Sequence, residues 1–327
     1  MAFDVSALSA WTQEKGDRAD FILQPILGSD TLSKLTGIDK RYGIKGFTEQ
    51  LPTFETTTPW QAGSACNFTT SGTTTLGKIQ LTTVPISIQE TICPRTLETY
   101  SLQGLVSKKG LDETFALMDM WTGRKLKSLS KQIDSALWQS KTTYTNATHL
   151  HKFNGFISTL DTAGTAIAAT QQASISTSTV RGIIEEIAFS KIPAQIRGEN
   201  PVILCGYDTF NTYRLKLMQD NLYHVDPSNT NMGEYRMKVF GTNVELIGIA
   251  GLNNDNSVDT GALPTAVKNR LIATYQDNLM IGMNAENDIN EFDVWYSKDD
   301  QNIKFNLRFH IGVQIKYPAL CVQYTNS

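Results

Sequence analysis

From Ile303 to Tyr317 the chain reads IKFNLRFHIGVQIKY, and apolar and polar residues alternate almost without interruption. Ile303, Phe305, Leu307, Phe309, Ile311, Val313, Ile315 and Tyr317 fall on one side. Lys304, Asn306, Arg308, His310, Gln314 and Lys316 fall on the other. Side chains on a strand point to opposite faces with a period of two, so this is a β-strand with one buried face. Strands usually hold roughly 3–10 residues, whereas this one, at about 3.3 Å per residue, reaches roughly 50 Å. A ribbon of that length with one apolar face needs a partner of similar length.

The chain contains one. Residues 111–138 place Leu111, Phe115, Met118, Leu126, Leu129, Ile133 and Leu137 at three- and four-residue steps, with Thr122 the weak member. That spacing makes one apolar stripe on a helix of about 42 Å. Asp112 and Glu113 sit in the first turn and Lys127 and Lys131 further along, as the helix dipole favours. The expectation is that helix and ribbon pack along each other. EFDVWYS, in which Phe292, Val294 and Tyr296 alternate, offers an antiparallel neighbour, with SKDDQN as the turn.

Two segments lack the material for a core. Residues 1–46 hold small apolar groups split by Pro25, Gly28, Gly37, Gly43 and Gly46. They read either as a frayed terminus or as an arm lying on another subunit. Residues 47–95 hold ten threonines between Thr48 and Thr75, where Glu49 and Glu55 are the only charges. Threonine favours exposed pleated backbone over helix. The pattern predicts a long hairpin, out along FTEQLPTFETTTPW and back along KIQLTTVPISIQ, with the tip at NFTTSGTTTLG. On the way back the alternation slips by one residue through Thr82 and Thr83, from Ile79 and Leu81 to Val84, Ile86 and Ile88, which makes two strand pieces with a bulge or kink near Pro85. Such a ribbon is marginal alone in water.

Residues 154–283 read as an α/β unit. Val180, Ile183, Ile184 and Ile187 mark a helix face with Ser178 as candidate cap. PVILCG is a buried strand, and YDTFNTYRLKLMQDN is a helix. YRMKVFGTNVELIGI is a hairpin turning at Gly241, Thr242 and Asn243. Residues 251–270 form a polar loop, and RLIATYQDNLMIGMN returns as strand.

Composition narrows the function. A formal charge of −3 argues against a protein that coats nucleic acid, which carries a basic stripe or tail. No apolar run approaches a membrane span, and the N-terminus lacks the basic and apolar regions of a signal peptide. Cys66, Cys93, Cys205 and Cys321 form no CxxC pair and read as reduced thiols, so the sequons at Asn67 and Asn146 carry no glycan. Gly72–Ile79 resembles a phosphate-binding loop, but Ile79 stands where Ser or Thr must hold magnesium, and the segment feeds a strand rather than a helix. His149 and His151 are spaced for one face of a strand, yet no third ligand accompanies them; His224 and His310 are isolated. The DDQN turn and NDNSVD loop depart from the EF-hand spacing. Arg124, Lys125, Lys127 and Lys131 form a basic cluster without interleaved aromatics, which reads as a solvated helix face. No nucleophile elbow and no paired acids appear, so no catalytic residue, cofactor-binding residue or metal ligand is assigned, and neither an enzyme nor a cofactor is expected.

The order of these parts resembles the major capsid proteins of tailed bacteriophages, whose α+β fold is named after phage Hong Kong 97. PVILCGYDTF and FNLRFHIGVQIKYPALCVQY also read like members of that family. The resemblance implies an N-terminal arm at 1–46, an E-loop hairpin at 47–95 and a P-domain with the spine helix at 96–153. It implies an A-domain at 154–283, with its polar loop near a capsomer centre, and a C-terminal β-ribbon of the P-domain at 284–327. It further implies a structural protein that self-assembles through pentamers and hexamers into an icosahedral shell. That shell would enclose double-stranded DNA without reading its sequence, be assembled in the host cytoplasm and reside in the virion. Portal, scaffolding and decoration proteins are the implied partners, and with the arm starting at Met1 any scaffolding is expected to be a separate protein. Some members cross-link a hairpin lysine to a neighbour's asparagine; Lys78 lies beyond the tip on the returning strand, so no cross-link is assigned. Two other readings are an encapsulin-like compartment that holds cargo enzymes, and an α/β enzyme with a β-rich lid.

Overall fold

The computed structural model describes residues 26, 28–44, 48–57, 60, 72–93, 112–144, 149–172, 174–222, 235–253, 270–283 and 292–325. The first 25 residues, most of the hairpin tip, most of the 251–270 loop, Leu111, His224, Cys66, Asn67 and Asn146 lie outside them, as do the side chains of Phe115, Met118 and Thr122.

The elements in chain order are α1 (Asp30–Lys34), β1 (Asp39–Tyr42), β2 (Thr48–Thr57), β3 (Thr73–Thr82), β4 (Val84–Ile92) and α2 (Asp112–Gln139). Next come α3 (Phe156–Ala163), β5 (Ile167–Ala168), α4 (Val180–Glu186), β6 (Val202–Gly206), α5 (Tyr207–Gln219), β7 (Arg236–Lys238) and β8 (Glu245–Ile249). The chain ends with β9 (Leu271–Thr274), β10 (Leu279–Met283), β11 (Phe292–Ser297), β12 (Asn302–Ile315) and β13 (Val322–Tyr324).

β12 is the long ribbon. Every second residue from Ile303 to Ile315 is buried, and the residues between them, apart from Gly312, are exposed or partly so. The strand stops at Ile315, and Tyr317, expected on the apolar face, is instead 40% exposed. The reason is local: Pro318 opens a 3-10 turn and restricts the residue before it. Lys316 is then held by Asp39 and Asp277, each at 3.0 Å. β11 pairs antiparallel with Asn302–Leu307, as expected from EFDVWYS. β10 takes up Ile311–Ile315, and β1 lies parallel to β10.

β4 corrects the hairpin boundary. The returning strand breaks at Thr83, and β4 leaves the hairpin to run antiparallel along Ile303–Ile311. Val84, Ile86 and Ile88 pack against the main core, while Pro85, Ser87, Gln89 and Thr91 face outward. Only β2 and β3 remain as a separate two-stranded hairpin, in register from Thr48–Thr82 to Thr57–Thr73.

The spine helix α2 covers the apolar face of this first sheet. Leu129, Ile133 and Leu137 of the expected stripe are buried in one cluster with Ile303, Phe305 and Leu307. Trp121 meets Phe305 edge to face at 5.3 Å, and Lys125 pairs with Glu90 of β4. Lys125 is thus tied to the sheet, while Arg124, Lys127 and Lys131 are exposed.

A six-stranded sheet, in the order β5-β13-β9-β6-β8-β7, forms the second layer. β6 and β8 are parallel, with α5 between them in the chain. Val202 and Leu204 point into the core shared with α2, while Ile203 and Cys205 point into a second core with α4 and α5. A strand covered on both faces has no polar side, which is why VILC is an unbroken apolar run. RLIATYQDNLMIGMN, read as one returning strand, is two: β9 joins this sheet and β10 the first. The 3-10 turn Gln276–Asn278 redirects the chain, and the Asn278 side chain donates to the Tyr317 carbonyl at 3.1 Å and accepts from its N–H at 2.7 Å.

The expected cap of α4 moves by one residue. Thr179 occupies that position, and Ser178 bonds to the Ser176 hydroxyl at 2.8 Å. The hairpin at Gly241–Asn243 forms as expected, with Gly241 at φ +75°.

Candidate assembly site

The β2–β3 hairpin is left largely uncovered by the described residues of its own chain. No third strand pairs with it among the described residues. Thr73–Lys78 are all exposed, and Leu76 keeps 67% of its area open. Threonines face one another near the outer end, with the Thr57 and Thr73 hydroxyls 2.8 Å apart. This satisfies side-chain polar groups but buries no apolar area, so the ribbon is thermodynamically unfinished. Lys78 lies opposite Pro52 on the returning strand, exposed, as the sequence reading placed it.

The arm behaves differently. Residues 28–44 are not frayed, because Leu32, Leu35 and Ile38 enter the main core of their own chain. A polar cluster fixes them. Ser29 caps α1 by accepting from the Leu32 N–H at 3.4 Å. Asp134 of α2 accepts from the Thr31 N–H at 2.8 Å and from its hydroxyl at 2.5 Å. Trp138, fully buried, donates to the same hydroxyl at 2.7 Å and lies 4.9 Å from Phe156. On the other side of α1, Asp30 accepts from the Tyr207 hydroxyl at 2.7 Å and the Ala250 N–H at 2.9 Å. Lys34 bonds Asp30 at 3.0 Å, Tyr207 at 2.8 Å and the Gly248 carbonyl at 2.8 Å. Its ammonium lies 4.4 Å from the Tyr207 ring centre, and that ring stacks on Tyr235 at 4.1 Å. Arg236 completes the set through the Lys34 carbonyl at 2.6 Å. One short helix thereby ties the spine helix to the second sheet.

Sequence reasoning missed this junction. Asp134 sits beside the apolar stripe and reads as one more polar helix residue. Ser29 as cap, and Asp30 and Lys34 four residues apart, were the available signal. Burial pushes the Asp134 carboxyl up to about 6, although the Thr31 hydrogen bonds oppose it. A carboxyl raised in the folded state binds its proton more tightly there than in the unfolded chain. Stability from this group is therefore gained as pH falls through about 6 toward the ordinary carboxylate value. Between pH 6 and pH 5 the gain is about 1 kcal/mol. We expect the urea midpoint to rise over that interval, and the rise to vanish in Asp134→Asn. Equal rises in both proteins would refute the assignment. Asp39 titrates lower: burial works to raise it, but Lys316 and Arg41 together hold it below its usual value, so its loss falls at more acid pH.

The remaining sequence candidates do not converge. His149 and His151 lie in a turn rather than on a strand, and His149 Nε2 is 3.1 Å from the Ser135 hydroxyl. Among the described residues no three His, Cys, Asp or Glu side chains are grouped as metal ligands. Of the phosphate-loop look-alike, Thr73–Ile79 is strand, with no helix after it. Cys205 and Cys321 are buried free thiols, and burial raises both, Cys321 to about 11. No described helix is long and apolar enough to cross a membrane.

No family model matches the sequence, and no curated protein matches it either. Solved structures do. The chain aligns with the capsid of Myoviridae phage XM1 at 12% identity and a TM-score of 0.59, over 91% of this chain and 92% of the other. It aligns with a chain of the satellite phage P4 procapsid that includes the size determination (Sid) protein, at 9% identity and 0.58, over 100% and 92%. It aligns with the capsid of the native GTA particle at 10% identity and 0.56, over 91% and 90%. The chain therefore has the α+β fold of tailed-phage major capsid proteins.

Proposed function

We propose that this chain is a major capsid protein of the Hong Kong 97 type. It would assemble through pentamers and hexamers into an icosahedral shell around double-stranded DNA. The observation that carries the reading is the unaccompanied β2–β3 hairpin on a body whose fold is that of phage capsids. An exposed hairpin gains hydrogen bonds and buried area by lying on a neighbour, in the manner of strand addition. In this reading β2–β3 is the E-loop. The first sheet with α2 is the P-domain, the second sheet with α4 and α5 is the A-domain, and the first 46 residues are the arm. The DNA is enclosed through geometry and not gripped in sequence, in keeping with a net charge of −3. No catalytic step belongs to this role; the protein is structural, resides in the virion and is assembled in the host cytoplasm. Portal, scaffolding and decoration proteins would be its further partners.

The test is to express the full chain and examine it by size-exclusion chromatography and negative-stain electron microscopy. Closed shells of megadalton size are expected. A species that stays monomeric at every concentration, with or without a scaffolding protein, would overturn the proposal. Shells filled with a host enzyme would transfer the chain to the encapsulin-like class.

A further inference from the structure

Gly282 and Gly312 face each other directly across the β10–β12 pair. Both are strand positions where a side chain would ordinarily pack, and glycine there marks a close backbone approach. The hairpin root fills the space. A Cβ on Gly312 would overlap the Thr82 carbonyl. One on Gly282 would lie 2.7 Å from Ile44 Cδ1 and 3.0 Å from both Leu81 Cδ2 and Thr83 Cγ2. Leu81 on the hairpin, Thr83 just after it and Ile44 before it are 0%, 2% and 5% exposed, whereas Thr73–Lys78 at the outer end of β3 are all exposed. Gln314, on the same face as Gly312, donates to the Gln80 carbonyl at 2.9 Å. Beyond this point the burial of β3 falls from Leu81 to six exposed residues at the outer end.

We propose that the facing glycines form a socket that sets the angle at which the hairpin leaves the subunit, with Leu81 and Ile44 as its plugs. These are positioning residues, and the inference rests on the reading of the hairpin as the assembly element. The physics is that of a lever. Thr83 alone connects the hairpin to β4, and among the described residues its direction is restrained by this root packing together with the Arg41–Glu49 ion pair at 4.0 Å. Ten strand residues carry the outer end about 33 Å from the root. A tilt of about 10° would therefore displace that end by about 6 Å, well beyond the ~1 Å backbone shift that a preformed interface tolerates. The side chain that a methyl group would add at Gly312 has no room without lifting the root.

The experiment uses the full chain with Cys66→Ser and Cys93→Ser, carrying spin labels on cysteines placed at Thr75 and Arg308. Pulsed electron–electron resonance gives their distance distribution in the unassembled subunit. A single narrow distribution is expected in the parent. Leu81→Ala, which empties the socket without touching β10 or β12, should at least double its width. Gly312→Ala should move its centre by about 5 Å. Shell yield should fall at least tenfold in both while the far-ultraviolet spectrum is kept. Leu81→Ala decides the matter if Gly312→Ala fails to fold. A broad distribution in the parent, or an unchanged one in Leu81→Ala, overturns the socket. If the distances respond but the parent forms no shell, the socket stands and the capsid reading falls; if shells form and the distances do not respond, the reverse holds.

Discussion

Replacing Gln50–Gln80 by an Asn-Gly turn should leave a folded subunit that forms no shell. Among the described residues the strands of the removed segment pair with each other, and Gln80 also accepts from Gln314, while the residues of both cores lie outside the cut. Urea and thermal midpoints should stay close to those of the parent. Assembly should lose at least 100-fold in critical concentration, about 2.7 kcal/mol per contact. The cut must end before Leu81. Carried on to Ile88 it would also take Leu81, Val84 and Ile86, which are packed on the body, and would confuse a folding defect with an assembly defect. Shells of normal yield from the shortened chain, counted by electron microscopy and sedimentation, would refute the role given to the hairpin.

Trp138→Ala should be the most damaging single substitution at the junction. The indole is fully buried between α1 and Phe156, and its N–H satisfies the Thr31 hydroxyl. Emptying such a site costs about 3–5 kcal/mol, with about 1 kcal/mol more for the hydrogen bond. Domains are stable by about 5–15 kcal/mol in total, so the variant should sit near its unfolding threshold. Residues 28–44 should become cleavable by protease before the rest of the chain. Trp138→Phe keeps most of the volume and should lose about 1–2 kcal/mol, chiefly through the lost N–H donor. A urea midpoint for Trp138→Ala that corresponds to less than 1 kcal/mol would show that α1 does not depend on this contact.

The legible parts of the chain share one property: local periodicity forced by a single long interface. β12 and the described half of α2 alternate or repeat because each has one covered face, and β11 lies beside β12 as its alternation foretold. The all-apolar VILC run was equally readable, since a strand covered on both sides carries no polar face. The hairpin's lack of a core was readable from its threonines, because composition reports directly how much apolar area a segment can bury.

What sequence missed are contacts whose partners lie far apart in the chain. Thr31 and Asp134 are 103 residues apart, and Tyr207 and Asp30 are 177 apart. Each alone is an ordinary polar residue, and only burial together makes a junction of them. The partner of β4 was misjudged for a related reason. The slip from Ile79 and Leu81 to Val84, Ile86 and Ile88 marks two strand pieces, but periodicity cannot say which strand a strand will pair with. RLIATYQDNLMIGMN was likewise one apolar stretch in sequence but serves two sheets.

By itself, then, the sequence determined the lengths and faces of the spine helix and the ribbon, the buried strand of the second sheet and the coreless character of the hairpin. Side-chain period and composition are local and survive without a fold. Only the tertiary structure decided that Leu32, Leu35 and Ile38 pack into the main core of their own chain. It alone decided where the hairpin stops and that Gly282 and Gly312 face each other beneath its root, because distance in space between residues far apart in the chain has no local signature.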